Sequence, residues 1–388
     1  MTLKVYYWSP HISDEIATVK AVKNSAISLM KYSKNYDVRI VNAVGEWNNQ
    51  IENLLKDKVK TISLNNDVYF KLPKFGYLRS RISYFIIFLK SLKPLYKVIK
   101  KDSPDFLIIH LITSLPILIF TFFKFRTRLI LRISGFPKLN FFRKFLWKLI
   151  NNKIYAVTCP TLGTLELLVN QNIFSKEKIY LVEDPIINLN EYNEKKKQDI
   201  QIDEKFHKNS IILIGRLTKQ KNFSLFIKAF SILIKKYPDL RANIIGKGEE
   251  REELTILIKN LNLNKYISLL DYKDNIFKYL INSKYFILTS LWEDPGFVLI
   301  EAAISNASII SSNCPNGPRE FLGNGKGGFL FENNSVEDLV LIISRCIESE
   351  NFILKQKKLY AKKNVRKYTL ARHFIKINSL LKKNEKKF

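Results

Sequence analysis

The sequence predicts an α/β protein of two domains, each a parallel sheet covered by helices on both faces. Three observations predict it. The chain has 388 residues, more than one core usually supports before a chain divides. Short continuous runs of Ile, Val and Leu alternate with longer stretches whose apolar residues recur every three to four positions. Runs of the first kind are strands buried on both faces, and stretches of the second kind are helices. The alternation lapses once, at the polar, charged stretch 188–210, and then restarts.

In the first half, LKVYYW (3–8) reads as a buried strand. The loop SPHISDE follows, then a helix with Val19, Val22, Ala26 and Leu29 on one face. DVRIVNAV (37–44) is the next strand, and Tyr84 to Ile99 is amphipathic. The 18 residues from Phe106 to Phe123 reach the lower limit for a membrane span, but His110, Thr113, Ser114 and Pro116 interrupt them. They are expected to form a strand, FLIIH, running into an apolar helix. RLILRIS (128–134), YAVTCP (155–160) and IYLVED (179–184) complete the first sheet.

In the second half, SIILIG (210–215), RANIIG (241–246), YISLLD, YFILTS and ASIISS are the strands. Phe223, Phe226, Ile227 and Phe230 mark one helix face, and Leu254, Leu257, Ile258 and Leu261 another. RKYTLARHFIKINSLLKK (366–383) begins after the second sheet is complete, with Leu370, Phe374, Ile377 and Leu381 on one face. That face needs a partner and is expected to find it on the first domain. The expected division is 1–190, a hinge at 191–208, 209–365, and a returning helix at 366–388.

Lys and Arg number 64 against 35 Asp and Glu, a net charge of +29. Such a field calls for an anionic partner: nucleic acid, an anionic membrane surface or phosphorylated substrates. The basic residues are spread along the whole chain without a recognised stacking module, so no nucleic-acid partner is expected. FFRKFLWKLINNK (141–153) instead sets Phe141, Phe145 and Leu149, flanked by Phe142 and Trp147, among four cations. That is the pattern of a helix lying on an anionic membrane. The three cysteines, far apart, offer neither a disulfide framework nor a zinc spacing and fit a reducing cytoplasm. MTLKVYYWSP does not read as a signal peptide.

Candidate chemistry gathers at the carboxyl ends of strands in the second half, where open α/β sheets bind ligands. GRLTKQKN (215–222) follows SIILIG; Gly215 permits a tight turn, and Arg216 and Lys221 put two cations at a helix start favourable to phosphate. A solvated basic loop would look the same. GKGEE (246–250) offers Gly246 and Gly248 for close backbone approach, though a plain strand-to-helix turn has this form too. LWEDPGFVLIEAA (291–303) is the strongest feature: Pro295 and Gly296 shape a turn into a helix whose first amides, at Gly296, Phe297 and Val298, can face an anion or hydroxyls. Glu301, one turn beyond Phe297, can accept two hydrogen bonds from ribose hydroxyls, and Glu293 stands before the turn near a bound sugar. SSNCPNGPREFLGNGKGGFLF (311–331), rich in proline and glycine, is a rigid loop of close approach.

These segments, in this order and spacing, resemble the second domain of the family 4 retaining glycosyltransferases, strongly over 210–345 and moderately over the first half. The E-x7-E signature falls on Glu293 and Glu301. The resemblance implies the GT-B fold: two Rossmann-like domains with parallel sheets facing a central cleft, the first binding the acceptor and the second the donor. It implies that Arg216 and Lys221 hold the donor diphosphate, Glu301 the ribose, and Glu293 with the amides of Gly296 to Val298 the transferred sugar. Loop 246–249 would lie near the base. DFLIIH (105–110) resembles the family's strand ending in histidine, which puts His110 at the cleft; Ser134 stands where many relatives carry a histidine, and Arg132 offers a contact to an acceptor phosphate instead.

The implied activity is metal-independent transfer of a hexosyl or N-acetylhexosaminyl group. It runs with retention, from a nucleotide sugar (UDP-linked) to a lipid-linked bacterial surface glycan. The enzyme would act from the cytoplasm, peripheral on the inner face of the cell membrane. The nucleotide sugar is a co-substrate, and no tightly bound cofactor is expected. No D-x-D pair is present to hold a metal on the diphosphate; two cations and helix amides can neutralise it. A GT-B-type nucleotide-sugar epimerase is the alternative, and a basic nucleic-acid-binding protein a more distant one.

Overall fold

A computed structural model describes every residue except 1, 13–16, 67, 74–76, 134, 136, 138 and 384–388. The chain forms two compact units, Met1–Ile186 with Leu370–Phe388, and Ile187–Thr369.

Unit one holds β1 (Leu3–Trp8), β2 (Tyr36–Asn42), β3 (Lys60–Ser63), β4 (Phe106–Ile109), β5 (Arg128–Arg132), β6 (Ile154–Cys159) and β7 (Ile179–Leu181). All are parallel, in the order β3-β2-β1-β4-β5-β6-β7. β1 and β4 pair at the centre, Val5 opposite Phe106 and Trp8 opposite Ile109. They are apolar because both their faces are covered. The edge strand β3 reads KTIS, with no residue fully buried. An edge of that kind leaves no apolar run in the sequence. Tyr77–Asp102 is one helix, burying Ser83, Ile87, Ser91, Leu95 and Ile99 on every fourth position. The apolar segment 106–123 is β4 followed by the helix Ser114–Phe122. Among the described residues no helix is long and apolar enough to cross a membrane.

The last helix, Leu370–Leu381, is part of unit one. Leu370, Ile377, Leu380 and Leu381 share a core with Val19, Val22, Ala26, Leu29 and Ile40, and Phe374 packs against its margin. Tyr36 donates to Asn378 Oδ1 at 2.6 Å. The buried His373 anchors the helix on two sides. Its Nδ1 meets the carbonyl of Glu183 at 2.8 Å and its Nε2 meets Ser25 Oγ at 2.8 Å. A carbonyl only accepts, so Nδ1 carries the proton and Nε2 accepts from Ser25. Tyr7 then donates to Ser25 Oγ at 2.9 Å, which completes the chain of bonds.

Unit two holds β8 (Ile211–Ile214), β9 (Ala242–Ile245), β10 (Ile267–Leu270), β11 (Tyr285–Leu288), β12 (Ser308–Ser312) and β13 (Phe329–Phe331). They are parallel too, in the order β10-β9-β8-β11-β12-β13. The helix Phe223–Lys236 buries Phe223, Phe226, Ile227 and Phe230 in the unit's core, as its period predicts. Residues 191–208, expected to be a hinge, are part of this unit and include most of the helix Leu189–Lys197. One aromatic residue fixes that helix: Tyr192 packs edge-on to Phe277 at 5.0 Å and donates to the carbonyl of Ile304. A single packed ring gives no apolar period, which is why the stretch reads as a linker. The units divide instead at 186/187 and 369/370.

Candidate functional site

The strand order of unit two reverses between β8 and β11, since the chain runs outward from β8 through β9 to β10 and then returns to β11. The loops leaving the carboxyl ends of two such strands diverge and open a crevice. The sequence places GRLTKQKN after β8 and SLWEDPG after β11, so the strongest candidate residues flank this point.

The two loops are tied together. Leu291 donates its amide to the carbonyl of Gln220 at 2.8 Å, and Gln220 Nε2 returns a bond to the carbonyl of Trp292 at 2.9 Å. Thr289 Oγ1 donates to the carbonyl of Lys221 at 2.7 Å. Held this way, Lys221 Nζ forms an ion pair with Glu293 Oε1 across 72 residues of sequence. Ser290 Oγ donates to the same oxygen at 2.5 Å. Glu293 is only 6% exposed. A carboxylate so buried needs both partners, because an unpaired charge removed from water is strongly unfavourable. Arg216, by contrast, is exposed, and among the described residues its guanidinium hydrogen-bonds only Gln220 Oε1, at 3.5 Å. The site therefore presents Lys221 neutralised inside and Arg216 available at its rim.

Gly215 and Gly246 set the distance between the β8 and β9 loops. A Cβ on Gly246 would lie 1.9 Å from the carbonyl oxygen of Gly215, so no other residue fits. Leu217 donates its amide to the carbonyl of Lys247 at 2.9 Å and accepts from Glu250 at 3.0 Å, which fixes the turn containing Gly248. On the other side, Gly296 caps the helix Phe297–Ile304 with φ +93°, a left-handed conformation that favours glycine. The chain enters this turn through a cis bond between Asp294 and Pro295. Asn316 steadies Asp294 at 2.8 Å, and the Glu293 amide donates to Pro315 at 3.3 Å. The helix's first amides, at Phe297 and Val298, have no carbonyl a turn earlier to bond, so its amino end is suited to an anion or hydroxyls. Glu301 lies one turn in, 7% exposed.

The structure thus brings Gly215, Arg216, Lys221, Gly246, Gly248, Glu293, Gly296, Phe297, Val298 and Glu301 onto the carboxyl side of one sheet. His110 belongs to unit one, at the end of β4. It is buried, neither ring nitrogen has a hydrogen-bond partner among the described residues, and it lines a small cavity with Ser25, Arg132, Asp184 and His373. Burial, then the charge of Arg132, holds its pKa well below the usual histidine range. Arg132 is not open to an acceptor phosphate: it is buried, paired with Asp184, and donates to the Val182 carbonyl at 2.6 Å. Ser134 lies outside the described residues. Sequence reasoning missed Gln220, Ser290 and Ser312, whose Oγ donates to the Ser290 carbonyl at 2.6 Å. These are common polar residues without a period, and only the fold gives them partners.

Two parallel, doubly wound sheets with a phosphate-suited crevice at the switch point of the second define the GT-B class, and the whole-chain comparisons agree. A glycosyltransferase from Rickettsia africae superposes with a TM-score of 0.74 over all of both chains, at 18% identity. HepE from Anabaena, solved in complex with UDP and glucose, superposes with a TM-score of 0.70 over 98% of this chain and 99% of that one, at 15% identity. Residues 193–368 match the glycosyl transferases group 1 model. The chain is also 29% identical over 246 residues to the N-acetylgalactosamine-N,N'-diacetylbacillosaminyl-diphospho-undecaprenol 4-alpha-N-acetylgalactosaminyltransferase of Campylobacter jejuni. That match covers 61% of this chain and 64% of the relative, less than two thirds of its length.

Proposed function

We propose that this protein transfers a sugar from a UDP-linked donor to a growing, lipid-linked surface glycan, with retention and without a metal ion. The cluster of Lys221, Glu293 and Ser290 beside the Gly296 helix start carries the reading. Arg216 and Lys221 would hold the diphosphate, Glu301 the ribose, and Glu293 with the amides of Gly296 to Val298 the sugar. Such fixed charges and dipoles act where negative charge develops on the leaving diphosphate. The UDP in the Anabaena complex and the diphospho-undecaprenol in the name of the Campylobacter relative support this choice of donor and acceptor. The same name, a transferase with a specified acceptor, disfavours the epimerase reading. Incubation with a panel of UDP- and GDP-sugars should release nucleotide from one or two of them, and faster when polyprenyl-diphosphate-linked saccharide is added. No release from any donor would end the proposal.

The protein would work at the inner membrane surface, a compartment that suits its three buried cysteines, which form no disulfide among the described residues. Two helices of unit one support this. Phe141–Ile150 buries Leu146, Trp147 and Ile150 and exposes Phe141, Phe142, Phe145 and Leu149 beside Arg143, Lys144 and Lys148. Trp147, expected among the exposed residues, packs in the core against Phe174. Tyr77–Asp102 exposes Ile82, Phe85, Leu89 and Leu92, also at helical spacing. Arg143 has its pKa lowered by partial burial and then by the charge of Arg81, so cations of the two helices lie close together. An anionic headgroup would relieve that repulsion.

A further inference from the structure

We propose that Ser290 is a positioning residue that aims Glu293 at the transferred sugar, and that only one oxygen of this carboxylate is free to bind it. The proposal rests on the nucleotide-sugar reading above. Lys221 Nζ and Ser290 Oγ both bind Oε1 of Glu293. Oε2 carries no hydrogen bond among the described residues. It lies at the glycine that begins the next helix, since a Cβ built on Gly296 would stand 3.7 Å from it. A carboxylate can rotate about its last bond and offer either oxygen. Two donors converging on Oε1 from different loops remove that freedom and leave Oε2 directed at the turn, where its one remaining task is to accept a hydroxyl.

Lys221 alone would not fix the direction, because an ammonium on a flexible stem follows a rotating carboxylate. Ser290 sits two residues beyond β11, fully buried, and its carbonyl is held by Ser312 Oγ at 2.6 Å. The hydroxyl is therefore a fixed donor. A buried hydrogen bond from a rigid group to a charged acceptor is among the stronger kinds, and charge-assisted bonds of this type are short. Ser290 never touches the donor. It acts on the sugar half of the ligand through Glu293, and not on the nucleotide half.

That division supplies the test. Calorimetry would measure the affinity of wild type and Ser290→Ala for UDP and for UDP-glucose, UDP-galactose, UDP-N-acetylglucosamine and UDP-N-acetylgalactosamine. With the donor that wild type binds best, Ser290→Ala should lose about tenfold while its UDP affinity stays within about twofold. Ser290→Thr, which keeps the hydroxyl, should restore the ratio of the two affinities. Should Ser290→Ala fail to fold, Ser312→Ala is measured instead, and a smaller loss confined to the UDP-sugar is expected. Parallel loss of UDP and UDP-sugar affinity, or no loss of either, overturns the assignment. Failure of wild type to bind UDP or any UDP-sugar would overturn the nucleotide-sugar reading itself, a distinguishable result.

Discussion

Lys221 is the residue at which structure and activity are hardest to separate. By its position it would neutralise charge on a departing diphosphate, so Lys221→Ala should lower kcat; removing one such contact costs about 2.7–4 kcal/mol where it acts like an oxyanion donor. The same substitution strands a buried carboxylate, which destabilises by about 3–5 kcal/mol. The double variant Lys221→Met, Glu293→Gln removes both charges. It should regain most of the thermal stability lost by Lys221→Ala and remain inactive. Recovery of activity along with stability would show that transfer needs neither the Lys221 nor the Glu293 charge. The cysteines give a simpler check. Burial pushes the Cys314 thiol up to about 11 and Cys346 up to about 12. Native protein at pH 8 should therefore resist iodoacetamide that labels all three cysteines in guanidinium, as read by intact mass.

At the scale of elements, the last helix of unit one makes stability depend on acid. Burial pulls the pKa of His373 down to about 3, and that of His110 well below its usual value. The unfolded chain takes up a proton near pH 6.5 that the fold refuses until about pH 3. Stability is complete above pH 6.5 and falls as pH drops through that window, by about 1.4 kcal/mol per pH unit for one such group. The melting temperature should decline from pH 7 to pH 5, and His373→Gln should flatten the decline. An unchanged slope in that variant would place the acid sensitivity elsewhere. A truncation after Val365 should unfold unit one, and a folded, active product would contradict the packing of Leu370, Ile377 and Leu381.

The elements legible in the sequence are those whose burial is regular. β1, β4, β8 and β11 are apolar runs because both faces are covered, and the Phe223–Lys236 helix shows its inner face at i, i+3, i+4 and i+7. The edge strand β3 and the helix around Tyr192 were not legible, since each buries too little to imprint a period. Within the site, glycine and charge at strand ends marked Gly215, Lys221 and Glu293 in advance. The bond between Lys221 and Glu293, and the share Ser290 takes in it, depends on strands 74 residues apart becoming neighbours. No local pattern encodes that.

For the whole molecule, the consequences concern the membrane and the leaving group. The exposed stripes Ile82, Phe85, Leu89, Leu92 and Phe141, Phe142, Phe145, Leu149 should hold the protein on vesicles containing anionic lipid. Each Lys or Arg near such a surface adds about 1 kcal/mol, and salt screens that part within roughly 8 Å. Flotation should fall as salt rises, and Phe141→Ser with Phe145→Ser should abolish it without altering UDP affinity. Binding equal on neutral and anionic vesicles would contradict the electrostatic part. If Arg216 and Lys221 neutralise the diphosphate as proposed, turnover should persist in excess EDTA. Its complete loss, with recovery on adding manganese, would show that the leaving group is handled differently. The closing helix has a further consequence, for synthesis. Unit one's core is completed by residues after Leu370, and all of Ile187–Thr369 emerges from the ribosome before them. At about 5–20 residues per second, that interval lasts roughly 10–40 s. For that time the surface of Val19, Val22 and Leu29 is without its cover while unit two can already fold, so the first half of the nascent chain is the half most in need of a chaperone.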